Sequence, residues 1–324
     1  MNEKLLTDFY SRRGYTEEAG KRAVDAVKAC KDWLAGGGTR FEEVGLGELR
    51  AYLDLLIEEN RNHEEDLLAL ARYCYLSGKT DLYIYFTSIL GVSDIISNIA
   101  DHTEAVLGTE VRNRVFSNLK IPPLGSPPEA APQVTREMVE RLLEEVSEAD
   151  CRKALTCNAH GIPESAFEEE KKYFADAPSL EEYLADRHRR QVAVLEEHAR
   201  TGKAWFEQRI TPRVVDYVRE HPEVQGGVVR DGKIYITKIP YDPDGWLEET
   251  DSKKRRYLAC HCPMARASLK DGNPVPPIWC NCSAGFGKLM FDALYGQTLE
   301  AEALETVLGG NEVCRFAIRI PEQE

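Results

Sequence analysis

The chain has 324 residues, 43% of them hydrophobic, with a formal net charge of -14 and a pI near 5.1. That length allows two domains and a substantial core. The negative charge repels phosphate and argues against a protein that draws its affinity from counterion release, so no nucleic-acid partner is expected.

The first residues, Met1 to Asp8, carry no apolar h-region, so secretion is not expected. No apolar run is expected to span a membrane. Nine cysteines, an odd number in a chain without an export signal, point to reduced thiols and a cytoplasmic location.

From Leu5 to about Phe116 the apolar spacing is helical, as in Ala23, Val27, Cys30 and Leu34, and again in Leu49, Tyr52, Leu53 and Leu56. Gly36-Gly37-Gly38 breaks the first long helix, and Gly78 ends the one carrying Leu67, Leu70, Ala71 and Cys74. The run from Ile121 to Pro128, with Pro132 beyond it, suits neither helix nor central strand. It predicts a linker over 121–134 between a helical domain, 1–120, and a second domain, 135–324.

Helices resume from Arg136 to Ser147, Ala166 to Ala175 and Leu180 to Thr201, where Ser179 and Glu182 have capping-box spacing. The segment from Val228 to Ile236 reads as a hairpin around Asp231-Gly232. Phe286 to Tyr295 reads as an amphipathic helix. Leu299 to Leu308 and Val313 to Ile320 read as strands joined at Gly309-Gly310-Asn311. The fold class is therefore α+β: an N-terminal helical bundle, then an α/β domain with an antiparallel sheet.

Residues from Asp8 to Leu90 resemble the helical core-binding domain of tyrosine recombinases, through Arg13-Gly14-Tyr15-Thr16-Glu17-Glu18 and Leu46-Gly47-Glu48-Leu49. The His-x-x-Arg element that a recombinase needs occurs nowhere in the chain. The resemblance thus reaches helix packing or partner contact, not DNA strand exchange.

Chemistry concentrates in the last quarter. Cys260-His261-Cys262-Pro263 and Cys280-Asn281-Cys282-Ser283 are matched pairs, and Cys314 follows. Soft thiolates returning in pairs suit a tetrahedral zinc. The Cys-x-Cys spacing is less usual than Cys-x-x-Cys, and buried cysteines packing as small hydrophobes are the alternative. The candidate metal ligands are Cys260, Cys262, Cys280, Cys282 and Cys314.

The segment from Cys280 to Ile320 resembles the C-terminal part of the 4-vinyl reductase domain. The matching residues are Cys280, Gly285-Phe286, Gly296, Gly310 and Cys314-Arg315-Phe316-Ala317-Ile318. The resemblance implies an antiparallel sheet with packed helices around a small-molecule ligand. In zinc-bearing members three cysteines and a glutamate hold the metal. Cys280 and Cys314 match two of these positions, while Ala303 and Thr306 stand at the other two. Cys260, Cys262, Cys282 or Glu305 are the candidate replacements.

His261 reads either as a ligand or acid–base group or as a solvent-facing turn residue. Cys157 and His160 read as an extra ligand, a nucleophile pair, or a helix end capped by Gly161. Gly285-Phe286-Gly287-Lys288 reads as a helix opening whose free amides could hold an anion. Trp279 and Phe286 flank the second cysteine pair and are candidates to line an apolar pocket, with Trp246 as a covering loop residue. The expected ligand-binding set is His261, Trp279, Gly285 and Phe286. The expected function is small-molecule binding beside a cysteine-rich zinc site, with a second copy of the chain as a further partner. A cysteine-dependent hydrolase or redox enzyme, and a helical partner-binding protein, are the alternatives.

Overall fold

A computed structural model describes residues 3–270 and 272–321. The chain is α+β and divides into two compact units, Met1–Val92 with Ile121–Ala130, and Ser93–Lys120 with Ala131–Glu324.

The first unit contains α1 (Glu3–Arg12), α2 (Glu17–Gly36), α3 (Leu46–Glu58), α4 (Glu64–Leu76) and α5 (Thr80–Ile89). Thr16 caps α2 by accepting from the Ala19 amide, and Glu17 and Glu18 complement the positive end of the helix dipole. The apolar spacing read from sequence becomes one core, in which Val27, Leu34, Leu53, Leu67 and Phe86 are buried.

The proline-rich run is not a free linker. Leu124 packs on this core, its carbonyl accepts from Asn62 Nδ2 at 2.8 Å, and a Cβ added at Gly125 would stand 3.3 Å from Leu67 Cδ1. At φ 90° Gly125 turns the chain where a side chain would be strained. The boundary between units therefore departs from the expected 1–120, 121–134 and 135–324: residues 93–120 join the second unit, and 121–130 return to the first.

The stretch Thr80–Leu107 has the length and apolar composition of a membrane span. Sequence reading expected no such run. It is two helices interrupted at Leu90-Gly91, and Leu82, Tyr85, Phe86 and Ile89 face the first unit's core. Only weak evidence for a membrane follows from it.

The second unit holds α6 (Val92–Leu107), α7 (Thr109–Phe116), α8 (Ala131–Glu145), α9 (Glu148–Leu155), α10 (Glu168–Asp176), α11 (Leu180–Thr201) and α12 (Pro212–Glu220). After these come β1 (Val228–Arg230), β2 (Lys233–Thr237), α13 (Pro243–Glu248), α14 (Ser252–Ala259), α15 (Asn281–Tyr295), β3 (Ala301–Glu305) and β4 (Arg315–Arg319). Helix α8 begins inside the expected linker because Pro132 occupies a first turn that needs no amide. Ser179 accepts from the Glu182 amide and starts α11, as its spacing indicates.

The four strands form an antiparallel sheet in the order β1-β2-β4-β3. Asp231 and Gly232, both at positive φ, make the tight turn of the first hairpin. Tyr183 and Leu184 of α11 and Phe291 of α15 pack with Ile234 and Ile318 of the sheet. Strand β3 is shorter than the expected 299–308. A bulge after Ala303 ends the regular ladder, and the chain turns at Thr306, whose carbonyl accepts from Asn311 N at 3.0 Å. This departure carries the amides of Val307 and Leu308 away from the sheet and toward the cysteines.

Candidate functional site

Four of the five cysteines share one buried neighbourhood. Cys260 ends α14 and packs with Trp246 and Val307, with Cys262 and Cys314 at the edge of the same cluster. Cys280 lies at the entry to α15, electrostatically coupled to Cys314 and Cys262.

Each of these sulfurs accepts hydrogen bonds. The Cys262 amide donates to Cys260 Sγ. The amides of Met264 and Ala265, in the turn after Pro263, donate to Cys262 Sγ, as does Trp279 Nε1 at 3.2 Å. The Thr306 hydroxyl and Leu308 amide donate to Cys280, and the Val307 amide donates to Cys314.

Burial pushes all four thiols above their ordinary value. For Cys260 and Cys280 the neighbouring sulfurs add to the rise, because adjacent thiolates repel. Among the described residues no three His, Cys, Asp or Glu side chains are already drawn together as a metal-ligand set. The sulfurs are neighbours, not a closed cage.

The fifth, Cys282, stands apart. It sits on α15 near Cys262 and Cys157, and burial drives its thiol well up. Among the described residues no donor is directed at its sulfur. Glu305 is engaged elsewhere, 3.6 Å from Arg315, so it stays out of the cysteine group.

The other sequence candidates are redistributed. His261 does not face solvent: Nε2 donates to the Ile239 carbonyl, and Nδ1 lies 2.8 Å from Glu207 and 3.2 Å from Gln208 Nε2. Both ring nitrogens face oxygens, which favours the doubly protonated ring. Burial opposes that charge and lowers the imidazole below its ordinary value, and Glu207 limits the drop. Neither nitrogen is free to take a proton from a thiol.

Trp279 is fully buried and serves Cys262, so it does not line a ligand surface. Gly285 is a packing residue. A Cβ there would stand 2.6 Å from both the backbone N and O of Cys157. Gly285 to Lys288 lie inside α15, which starts at Asn281, so the amides expected to hold an anion are not a helix opening. Trp246 is likewise no covering loop. It lies in α13, buried, and donates to the Glu312 carbonyl at 3.0 Å.

Phe286 alone of the expected ligand-binding set is open, at 39% exposure, and His160 meets its ring edge-on at 5.1 Å. Helix α9 ends at Leu155, before Cys157, and Gly161 closes a separate turn by donating to the Asn158 carbonyl at 3.2 Å. Burial pushes the Cys157 thiol up to about 11.

Three residues at the centre of this region carry no sequence signal. Lys238 follows β2; its amide donates to the Cys314 carbonyl at 2.9 Å and Nζ donates to Ser283 Oγ at 3.1 Å. Glu207 and Gln208 lie in a tight turn in which Trp205 and Gln208 exchange two backbone bonds of 2.9 Å. Phe206 at the tip of that turn has φ 50°, an uncommon conformation for a bulky side chain. Burial would raise Glu207, but the hydrogen bond and charge of His261, and then Lys238, hold it below the usual carboxylate value.

Residues 241–324, which hold all five site cysteines and His261, match a family of unknown function (DUF6144). No curated protein and no solved structure matches the chain. Lys238, Glu207, Gln208 and His160 lie outside the matched stretch.

Proposed function

We propose that the second unit is a zinc-holding, small-molecule-binding module, with Cys260, Cys262, Cys280 and Cys314 as the four thiolate ligands. The observation that carries this reading is that these four sulfurs are neighbours, Cys260 and Cys280 buried and Cys262 and Cys314 partly so, with Trp279 Nε1 donating to Cys262 Sγ and a nearby backbone amide favouring the ionised form of each. Donors aimed at sulfur offset part of the effect of burial on the thiolate and orient metal ligands. Four buried thiolates repel one another unless a cation lies among them, and four cysteines complete a tetrahedral zinc.

The resemblance to the 4-vinyl reductase group fits this assignment. Cys280 and Cys314 occupy two matching positions, and Cys260 and Cys262 stand in for the ligands replaced by Ala303 and Thr306. A site closed by four thiolates steadies the fold and leaves no open position for chemistry. This favours binding over thiol catalysis, as do the raised thiols and the occupied nitrogens of His261. All nine cysteines are free, which suits a reducing compartment such as the cytoplasm.

Elemental analysis of protein purified from zinc-replete cells tests the assignment. One zinc per chain is expected in the parent and in Cys282→Ser, with zinc lost from Cys280→Ser and Cys314→Ser. A metal-free parent with freely alkylated cysteines overturns it, and so does iron in place of zinc.

A further inference from the structure

Lys238, Ser283, His160 and Phe286 form a second constellation beside the cysteines. The Lys238 ammonium is half-buried and bonds to the neutral Ser283 hydroxyl at 3.1 Å. Among the described residues it has no carboxylate within ion-pair distance. It also lies over the Phe286 ring, 5.2 Å from the centroid. His160 meets the same ring edge-on at 5.1 Å, and both His160 and Phe286 reach solvent.

Gln208, next to His261, is 2% exposed. One end of its carboxamide lies 3.2 Å from His261 Nδ1, and Oε1 at the other end has no partner. The backbone ties these parts together. The Lys238 amide bonds to Cys314, and the next carbonyl, Ile239, accepts from His261.

We infer that this constellation binds a small organic monocarboxylate with a flat apolar body. A partly desolvated ammonium with no carboxylate in contact is better satisfied by an anionic oxygen than by one serine hydroxyl. The exposed faces of Phe286 and His160 beside it suit an apolar ring. Glu207 contributes a negative charge nearby, and the chain is acidic overall. One lysine in that field balances a single negative charge but not a phosphate dianion. The inference rests on reading the second unit as a ligand-binding module, not on its metal.

Calorimetric titration of the full-length protein with benzoate, benzyl alcohol and inorganic phosphate tests the inference, with zinc content measured on the same samples. Benzoate is expected to bind one per chain, at least about tenfold more tightly than benzyl alcohol, the usual worth of a charge-assisted hydrogen bond. Lys238→Met should weaken benzoate by a similar factor. Phe286→Ala should weaken benzoate more than acetate, which has no ring.

Absence of benzoate binding at millimolar concentration overturns the inference. So does benzoate bound equally well by Lys238→Met, benzyl alcohol bound as tightly as benzoate, or phosphate bound more tightly. Zinc without benzoate binding removes this inference alone. Lysine-dependent benzoate binding without zinc removes the metal assignment alone.

Discussion

The two units bury cysteines for different reasons. In the first, Cys30 on α2 and Cys74 on α4 sit in a helical core among Val27, Leu34, Leu67 and Leu70. Burial pushes both thiols up to about 12, and among the described residues nothing donates to either sulfur. They pack as small apolar side chains. In the second, Cys260 and Cys280 are buried and Cys262 and Cys314 partly so, yet each has a backbone or side-chain donor beside its sulfur. Burial alone therefore says little about a cysteine's role. The donors that the backbone spends on the sulfur are the more informative sign.

Metal removal should separate the units most strongly. Zinc bound at a thousandfold above its dissociation constant stabilises the folded state by about 4 kcal/mol. Chelation is expected to take that contribution from the second unit alone. Hydrogen exchange resolved by segment should then show lost protection in α15 and unchanged protection in α4. Equal loss in both helices breaks the comparison. Cys30→Ala and Cys74→Ala sharpen it. Each should cost about 1–2 kcal/mol in thermal unfolding while leaving zinc content intact.

Glycine gives a second contrast of smaller size. At Gly285 a Cβ would meet the Cys157 backbone at 2.6 Å, so Gly285→Ala should cost roughly 1–3 kcal/mol by forcing α15 away from residue 157. At Gly47, near the start of α3, nothing lies within 4 Å of the added carbon. Gly47→Ala should stabilise by about 0.5–1 kcal/mol through helix propensity alone. Denaturant midpoints measure both. A stabilised Gly285→Ala would mean that the close approach is not needed.

The same contrast explains what the amino-acid sequence reveals. Periodic features are legible because one physical rule repeats along them. The Asp231-Gly232 hairpin, the Ser179 cap and the apolar stripe through Val27 and Leu34 follow from local rules. The cysteine pairs are visible because their residue type is scarce. Lys238, Glu207 and Gln208 are common polar residues in loops, and only tertiary contacts single them out. Helix α15 reads as starting at Phe286, yet it begins at Asn281, and Gly285 inside it serves helix packing. The prolines of 121–128 read as a linker because backbone chemistry says nothing about Leu124 finding an apolar surface.

The smallest expected effect concerns how the second unit holds its site in place. Glu223 accepts from Arg315 Nε and from Thr237 Oγ1 at 3.0 Å, clamping the end of β2 just before Lys238 to the start of β4 just after Cys314. Burial would raise its carboxyl, but the bonds from Arg315 and Thr237 outweigh it and hold the group below its ordinary 4.5. A carboxylate so lowered contributes stability above pH 4.5 and loses it as pH falls through the folded value. Glu223→Gln should therefore cost about 1–2 kcal/mol near neutral pH, and the difference from the parent should shrink as pH drops below 4.5. Urea unfolding of both proteins across that range measures it. A penalty that persists unchanged into acid would show that Glu223 acts by shape, as the apolar residues of the first unit do, and not by charge.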